Sequence, residues 1–206
     1  MIKVGGHEHI VSDQGSAYSI ARAALRAAAY DADGIGACTA LRGEAETHFA
    51  RPMPALGRWL AEMSRARATV ASFAPMVIEC ARNGDEVAIS IVESEAVALV
   101  DMVQVVVPTS AVAEMPTIGL AGGVLHGSEY YRKRVESALA ARGLTDADHS
   151  NVTLIEGIAA GAQFAQRLAD SLDDVSRLPD GTVIHVEAQP GTTEVNRHRE
   201  VPRDLG

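Results

Sequence analysis

Apolar residues recur every three or four positions after residue 16, a spacing typical of an amphipathic helix packed on a core. The stripe consists of Ala17, Ile20, Ala21, Ala24, Leu25 and Ala28. Asp13 precedes the stripe, where a short acceptor side chain can cap free backbone N–H groups. The pattern therefore predicts a first helix over residues 14–30, capped by Asp13 and ended near Gly34.

Similar periodicity predicts helices along the rest of the chain. Pro75 suits the first turn of one helix, and Asp85 is placed to cap the next. The long helix after Asp85 has an inward stripe of Ala88, Ile91, Val92, Glu95, Leu99, Met102 and Val103. The predictions are a helical turn over 44–50 and helices over 56–67, 75–83, 86–106, 128–142 and 157–172.

Short apolar runs between turn residues predict strands at 116–120, 151–155 and 182–187. The alternation within 1–11 predicts a strand or the end of a hairpin. Strand, glycine turn, helix and strand follow one another after residue 116. This order predicts a parallel βαβ unit with a right-handed crossover. We expect the polar chain beyond Pro190 to be poorly ordered.

Composition narrows the functional classes. The 206 residues are 47% hydrophobic, enough for one globular domain or two small ones. The net charge of −9 and the absence of a basic stripe argue against a nucleic-acid partner. Cys38 and Cys80 lack metal-type spacing and are interpreted as free thiols. With no leader pattern or spanning apolar run, we expect a cytoplasmic protein without a membrane partner.

Two glycine-rich turns are candidates for ligand binding. The first, at Gly5–Gly6, precedes the first helix, whose positive end favours oxygen-rich or anionic ligands. The second, Gly122–Gly123, follows a predicted strand, where open α/β sheets bind ligands. It lacks the lysine and spacing of a P-loop. On pattern alone, either turn also suits an ordinary helix start.

Other candidate chemistry is weaker. His7 and His9, with Glu8 or Asp13, could hold a metal ion, but a surface loop is the better interpretation. No Ser-His-Asp or Cys-His arrangement can be placed. The sequence therefore predicts no metal site and no catalytic residue within this chain.

A resemblance to a known family extends these predictions. Residues 6–18, GHEHIVSDQGSAY, resemble the GWGHxxGDEGSAY segment of N-acetylglucosamine kinases, in the BadF/BadG/BcrA/BcrD ATPase family of the actin/hexokinase superfamily. Residues 78–85 resemble a helix junction of the same kinases, and 157–162 resemble their closing helix. With the turn at 120–125, four segments match in order over residues 5–172.

The resemblance implies a fold and an activity. The fold is a helix-rich α/β structure, a partial ribonuclease H-like lobe of the actin-like ATPase fold with a helical insertion. Residues 1–172 would form its C-terminal lobe, and 173–206 a polar tail with one strand. The activity is phosphorylation of an amino sugar such as N-acetylglucosamine, with ATP and Mg2+. The alternative is a non-catalytic ligand-binding or regulatory module derived from such a kinase.

Site residues also follow from the resemblance. Gly6, His7 and Glu8 would line the sugar-binding loop. Asp13 would accept hydrogen bonds from sugar hydroxyls, and such charge-assisted bonds are directional enough to discriminate sugars. The residues expected to cover adenosine are Ala121, Gly122, Gly123, Val124 and Leu125, with Ala71 across from them.

The chain departs from the family pattern in two ways. His7, Glu8, Ser12 and Gln14 stand where the family has Trp, Gly, Gly and Glu. The family's first lobe, with its phosphate loops and general-base aspartate, has no counterpart in these residues. Phosphoryl transfer needs positioning and charge stabilisation from both lobes, so we expect no turnover by this chain alone. A homodimer or a separate N-terminal lobe would complete the protein. Strand 182–187 or a second copy would cover the exposed sheet edge.

Overall fold

The computed structural model describes residue 4, residues 11–107, 117–146 and 148–154, and the backbone of 184–187. The helices are α1 (Ala17–Ala32), α2 (Leu41–Phe49), α3 (Met53–Ala61), α4 (Ala66–Ala71), α5 (Ala74–Arg82), α6 (Glu86–Val106), α7 (Gly123–Gly127) and α8 (Glu129–Ala141). The strands are β1 (Ile118–Ala121), β2 (Val152–Leu154) and β3 (Ile184–Glu187). The helix-rich α/β class predicted from the sequence is confirmed.

Helix α1 is central among the helices and packs against α2, α4, α5 and α6. Its buried face consists of Ile20, Ala21, Ala24 and Ala28, all fully excluded from solvent. Because three of these four side chains are single methyl groups, the neighbouring helices can approach α1 closely. The predicted apolar stripe is therefore the face that α1 presents to the core.

The strands form one parallel sheet with β1 in the middle. Ile118 of β1 lies opposite Val152 of β2 on one side and Ile184 of β3 on the other. All four residues of β1 are buried, as expected for the central strand of a parallel sheet. The predicted parallel pairing of β1 with β2 across α7 and α8 is confirmed. The strand predicted in the tail is also present, as β3.

Two helix starts follow the predicted capping chemistry. Asp85 accepts a hydrogen bond from the Ala88 N–H at 2.8 Å and caps α6. Pro75 lies in the first turn of α5, where its missing N–H costs nothing. None of the described helices is both long enough and apolar enough to cross a bilayer.

The first helix is not capped by Asp13, so that prediction was wrong. Ser16 is the cap, and its hydroxyl oxygen accepts from the Ser19 N–H at 3.0 Å. The left-handed Gly15, at φ +76°, turns the chain immediately before Ser16. Asp13 is thereby displaced from the helix end, and its carboxylate accepts a hydrogen bond from the Ser16 hydroxyl instead.

The single helix predicted over 56–67 is also wrong, because the chain forms two helices, α3 and α4, in this region. With the chain broken here, Leu56 of α3 and Val70 of α4 are both buried in the core. The turn predicted over 44–50 is the full helix α2. The strand or hairpin over 1–11, apart from residues 4 and 11, the helix over 157–172 and the end beyond Pro190 lie outside the described residues.

Candidate functional site

A cavity of about 920 Å³ opens between three parts of the fold. One wall is the loop before α1 and its first turn, and another is formed by α4 and α5. The third is α7 with the beginning of α8, directly after the carboxyl end of β1. Its size lies within the roughly 300–1,000 Å³ of small-molecule sites, and strand ends are where open α/β sheets bind ligands.

Asp13 lies in the wall before α1. Its carboxylate accepts the Ser16 hydroxyl at 2.7 Å and lies 3.5 Å from the Arg67 guanidinium. The Asp13 side chain is only 9% exposed. An acceptor held this way keeps one orientation toward the cavity, which suits the directional recognition of a hydroxyl-bearing ligand.

The second wall and α7 supply apolar surface. Ala71 and Ile78 line the cavity from α4 and α5, and Val124 lines it from α7. Gly123 adjoins this surface, and a methyl group built on it would meet nothing within 4 Å. The backbone can turn here because Gly122 adopts φ +123°, which L side chains rarely adopt. The result is an apolar pocket beside accessible backbone.

Besides the five-residue α7, three longer helices begin at the cavity. Ala17, Ala74 and Glu129 are the first helical residues of α1, α5 and α8, and all three line it. A helix N-terminus carries partial positive charge and free N–H groups, so each of these ends favours an anionic group nearby. Their convergence adds positive potential that the formal charges of the side chains do not include.

The charged side chains of the lining occur as three ion pairs. They are Arg67–Asp13 at 3.5 Å, Arg82–Glu79 at 3.0 Å and Lys133–Glu129 at 2.8 Å. The hydrogen bond from Lys133, with its charge, lowers the pKa of Glu129. Arg82 and Lys133 are more than half exposed, so their pairs contribute little stability. A ligand anion could replace either carboxylate at small cost.

The structure brings four of the predicted site residues together. Asp13, Ala71, Gly123 and Val124 line the same cavity although they are far apart in the sequence. Gly6, His7 and Glu8 lie outside the described residues. The proposed roles of these seven residues remain predictions.

Two of the residues predicted to cover adenosine, Ala121 and Leu125, are buried away from the cavity lining, and their role stays a prediction. Leu125 is fully buried in the core, and Ala121 is buried within β1. Neither lines the cavity, and Gly122 does not line it either. These three residues shape the turn that presents Gly123 and Val124, so any contact they made with a ligand would have to come from the backbone.

A hydrogen-bond network behind the cavity was not predicted from the sequence. The Glu95 carboxylate on α6 accepts the Gly15 N–H at 2.9 Å and the Ser19 hydroxyl at 2.7 Å. The Tyr131 hydroxyl on α8 donates to the Gly15 carbonyl at 3.2 Å. Burial, with a contribution from Glu95, raises the pKa of Tyr131. One sequence signal could have indicated this network: Glu95 is a charged residue within the otherwise apolar stripe of α6.

Other reactive groups do not assemble into a catalytic site in the part of the chain that the structure describes. No group of three His, Cys, Asp or Glu side chains is arranged to hold a metal ion there. His48 Nε2 lies 2.9 Å from Ser72 Oγ, but the Ser72 hydroxyl donates to the Thr69 carbonyl. His48 must therefore be the donor and cannot activate Ser72 as a base. Burial raises the pKa of Cys80 to about 11, which leaves its thiol protonated at neutral pH.

Fold and cavity together define a helix-rich α/β domain with a cavity of small-molecule size beside the end of its central parallel strand. The chain belongs to the BadF/BadG/BcrA/BcrD ATPase family, whose sequence model matches residues 1–158. Membership of an ATPase family implies that the domain binds ATP. None of the curated proteins compared with the sequence matches it.

Proposed function

We propose that this chain is the nucleotide- and sugar-binding lobe of an ATP-dependent kinase that phosphorylates an amino sugar such as N-acetylglucosamine. The fold would then be a ribonuclease H-like lobe of the actin-like ATPases with a helical insertion. The observation that supports this most strongly is the meeting of Asp13, Ala71 and the Gly123–Val124 turn in one cavity. Family membership makes the nucleotide the expected ligand of that cavity.

The two parts of a nucleotide have different requirements, and the cavity offers both. Ala71, Ile78 and Val124 provide an apolar surface for a flat base, and Gly123 leaves room against the backbone. The N-termini of α1, α5 and α8 and the exposed cations Arg82 and Lys133 favour the phosphates. A phosphate group would take over the hydrogen-bonding role of Glu79 or Glu129.

Mg2+ is expected to accompany ATP, but the cavity does not provide a protein-built site for it. Each cavity carboxylate is already paired with a cation, and the described residues contain no cluster of ligands. Mg2+ commonly binds through substrate phosphates and water with few protein carboxylates. We therefore assign no residue to the metal and derive no step through it.

The sugar would bind at Asp13. Its carboxylate is an acceptor whose orientation is fixed by the Ser16 hydroxyl and Arg67, and it faces the cavity at the start of α1. Gly6, His7 and Glu8 would complete the sugar loop. The remaining machinery for transfer would come from an N-terminal lobe or from a second copy in a homodimer, and the isolated chain would not turn over.

A non-catalytic ligand-binding or regulatory module is the second candidate. It is favoured by Gln14, which stands where the family has a glutamate, and whose amide oxygen accepts the Ser12 hydroxyl at 2.8 Å. Glu8 would also place a side chain where the family has glycine. Such a module would bind its ligand without supporting phosphorylation in any assembly.

Calorimetric titration of the 206-residue chain with Mg·ADP and with N-acetylglucosamine tests the proposal. Asp13→Asn should weaken sugar binding by about 10- to 100-fold, since a hydrogen bond to a charged group contributes roughly 1.5–3 kcal/mol. ADP affinity should stay unchanged. Asp31→Asn, which removes the same charge on α1 but outside the cavity, is the matched control. Equal sugar affinity in the Asp13 and Asp31 variants would contradict the assignment of Asp13. Phosphorylation by the isolated chain would refute the need for a second lobe.

A further inference from the structure

We infer that Glu95 and Tyr131 are positioning residues that hold the two peptide groups on either side of the Gly15 Cα and thereby aim Asp13 and Ser16 into the cavity. Neither side chain lines the cavity. The link to sugar recognition rests on the proposed function, whereas the positioning itself rests on geometry.

The first argument is that Gly15 is anchored through both of its backbone polar groups. Gly15 is buried, so its N–H and its carbonyl each need a partner. The N–H donates to Glu95 at 2.9 Å, and the carbonyl accepts from Tyr131 at 3.2 Å. The two partners belong to α6 and α8, which pack against each other. The loop is therefore fixed from two elements that share a common interface.

The second argument is that Glu95 links the loop to α1. One carboxylate oxygen accepts from Gly15 N–H, and the other accepts from the Ser19 hydroxyl at 2.7 Å. The Ser19 N–H in turn donates to the Ser16 hydroxyl oxygen, and that hydroxyl donates to Asp13. A continuous series of hydrogen bonds therefore runs from Glu95 to the Asp13 carboxylate. Without the Glu95 acceptor, the loop before α1 could change its orientation relative to the first turn of the helix.

The third argument concerns the location of Tyr131. Its neighbour Tyr130 lines the cavity, while Tyr131 itself is fully buried. The first turn of α8 therefore contributes Glu129 and Tyr130 to the cavity wall and Tyr131 to the anchor of Gly15. This arrangement ties the loop that carries Asp13 to the start of α8, so the orientation of Asp13 depends on the Tyr131 hydroxyl.

The test uses two conservative variants and one control in the full chain. Glu95→Gln replaces an acceptor oxygen by an NH2 group, which faces a donor and cannot accept its hydrogen bond. Tyr131→Phe removes only the hydroxyl. Glu93→Gln removes the same charge from an exposed site on α6, 3.5 Å from Arg134, and is the control. Calorimetry measures N-acetylglucosamine and Mg·ADP affinity, and amide hydrogen exchange measures protection of residues 11–19.

Each of the two variants should weaken N-acetylglucosamine binding by about tenfold and change ADP affinity by less than about twofold. Amide exchange over 11–19 should accelerate while the rest of the protein keeps its protection, and Glu93→Gln should behave as wild type. An equal loss of sugar and ADP affinity would indicate general destabilisation and overturn the inference. If amide exchange over 11–19 is unchanged in both variants, the positioning role of Glu95 and Tyr131 is refuted, whether or not the wild-type protein binds sugar. Failure of the wild-type protein to bind N-acetylglucosamine would refute the proposed substrate and leave the exchange test valid.

Discussion

Gly15 is the residue at which the packing of the cavity loop can be tested most directly. Its backbone adopts φ +76°, and a methyl group built on its Cα would lie 3.0–3.1 Å from three carbon atoms of the Leu99 side chain. Leu99 is 1% exposed and belongs to the core, so it has little freedom to move away. Gly15→Ala should therefore destabilise the protein through two separate effects.

The magnitude follows from adding these effects. An L residue in the left-handed region costs about 1–2 kcal/mol, and overpacking of a core contact typically costs about 1–3 kcal/mol. We therefore expect Gly15→Ala to lower the free energy of unfolding by about 2–5 kcal/mol. For a chain of this length, each kcal/mol corresponds to about 2–4 °C in Tm.

Urea denaturation followed by far-ultraviolet circular dichroism measures this difference. Gly143→Ala is the matched control, because Gly143 adopts φ +66° and a methyl group there would meet nothing within 4 Å. The control should show only the backbone effect. If the two variants lose the same stability within about 0.5 kcal/mol, the contact with Leu99 is not the source of the effect and the reasoning fails.

Two further predictions concern titratable groups. Burial alone would raise the pKa of Asp85, but hydrogen bonds from the Ala88 and Ala40 N–H groups and the Thr39 hydroxyl outweigh it, so the pKa is lowered. As pH falls, the Asp85 carboxylate is protonated in the unfolded state before it is protonated in the folded state. The ionised carboxylate therefore stabilises the fold above the unfolded pKa of about 3.9, and this stabilisation is lost as pH falls through the lower folded pKa. Urea titrations between pH 6 and 2 should show a weaker acid dependence in Asp85→Asn than in wild type; identical profiles would contradict this. The two cysteines should differ in reactivity toward iodoacetamide at pH 7.5. Mass spectrometry should find rapid labelling of the exposed Cys38 and labelling of the buried Cys80 only in denaturant. Equal labelling rates in native protein would refute the protection of Cys80 by burial.

Local chemistry in the sequence was sufficient to predict several elements. Asp85 follows Gly84 and precedes a long apolar stripe, so the start of α6 required no tertiary information. The buried run at 118–121 was recognisable because glycines follow it and its residues are apolar. The cap depends on residues close in the chain, and the strand was marked by its apolar composition and the turn after it, so both signals are present in a single sequence.

The errors arose where two local solutions were both acceptable. Asp13 and Ser16 are each good helix caps, and the choice between them depends on Gly15 adopting a left-handed conformation that Glu95 and Tyr131 stabilise from distant helices. The break between α3 and α4 has no glycine or proline between residues 61 and 66 to mark it. It exists because both helices must reach one core.

The cavity was only partly predictable for a related reason. Resemblance to a family selected Asp13, Ala71 and the glycine turn, but only the three-dimensional packing of α1, α4 and α7 shows that they line one cavity. The same packing places Leu125 in the core, where no sequence pattern distinguished it from its neighbour Val124. Arg67 on α4 and Lys133 on α8, which pair with Asp13 and Glu129, had no sequence motif to mark them.

The alanine face of α1 restricts how this protein can change. Ala21, Ala24 and Ala28 have no side-chain rotamers, so a larger residue at any of them could be accommodated only by moving a whole neighbouring helix. Glycine would remove a methyl contact and weaken the helix itself. Because both enlarging and shrinking these side chains are costly, variation in ligand preference is more readily accommodated at cavity-lining positions outside this face. The alanine face that supports the cavity is therefore also a constraint on how its ligand preference can change.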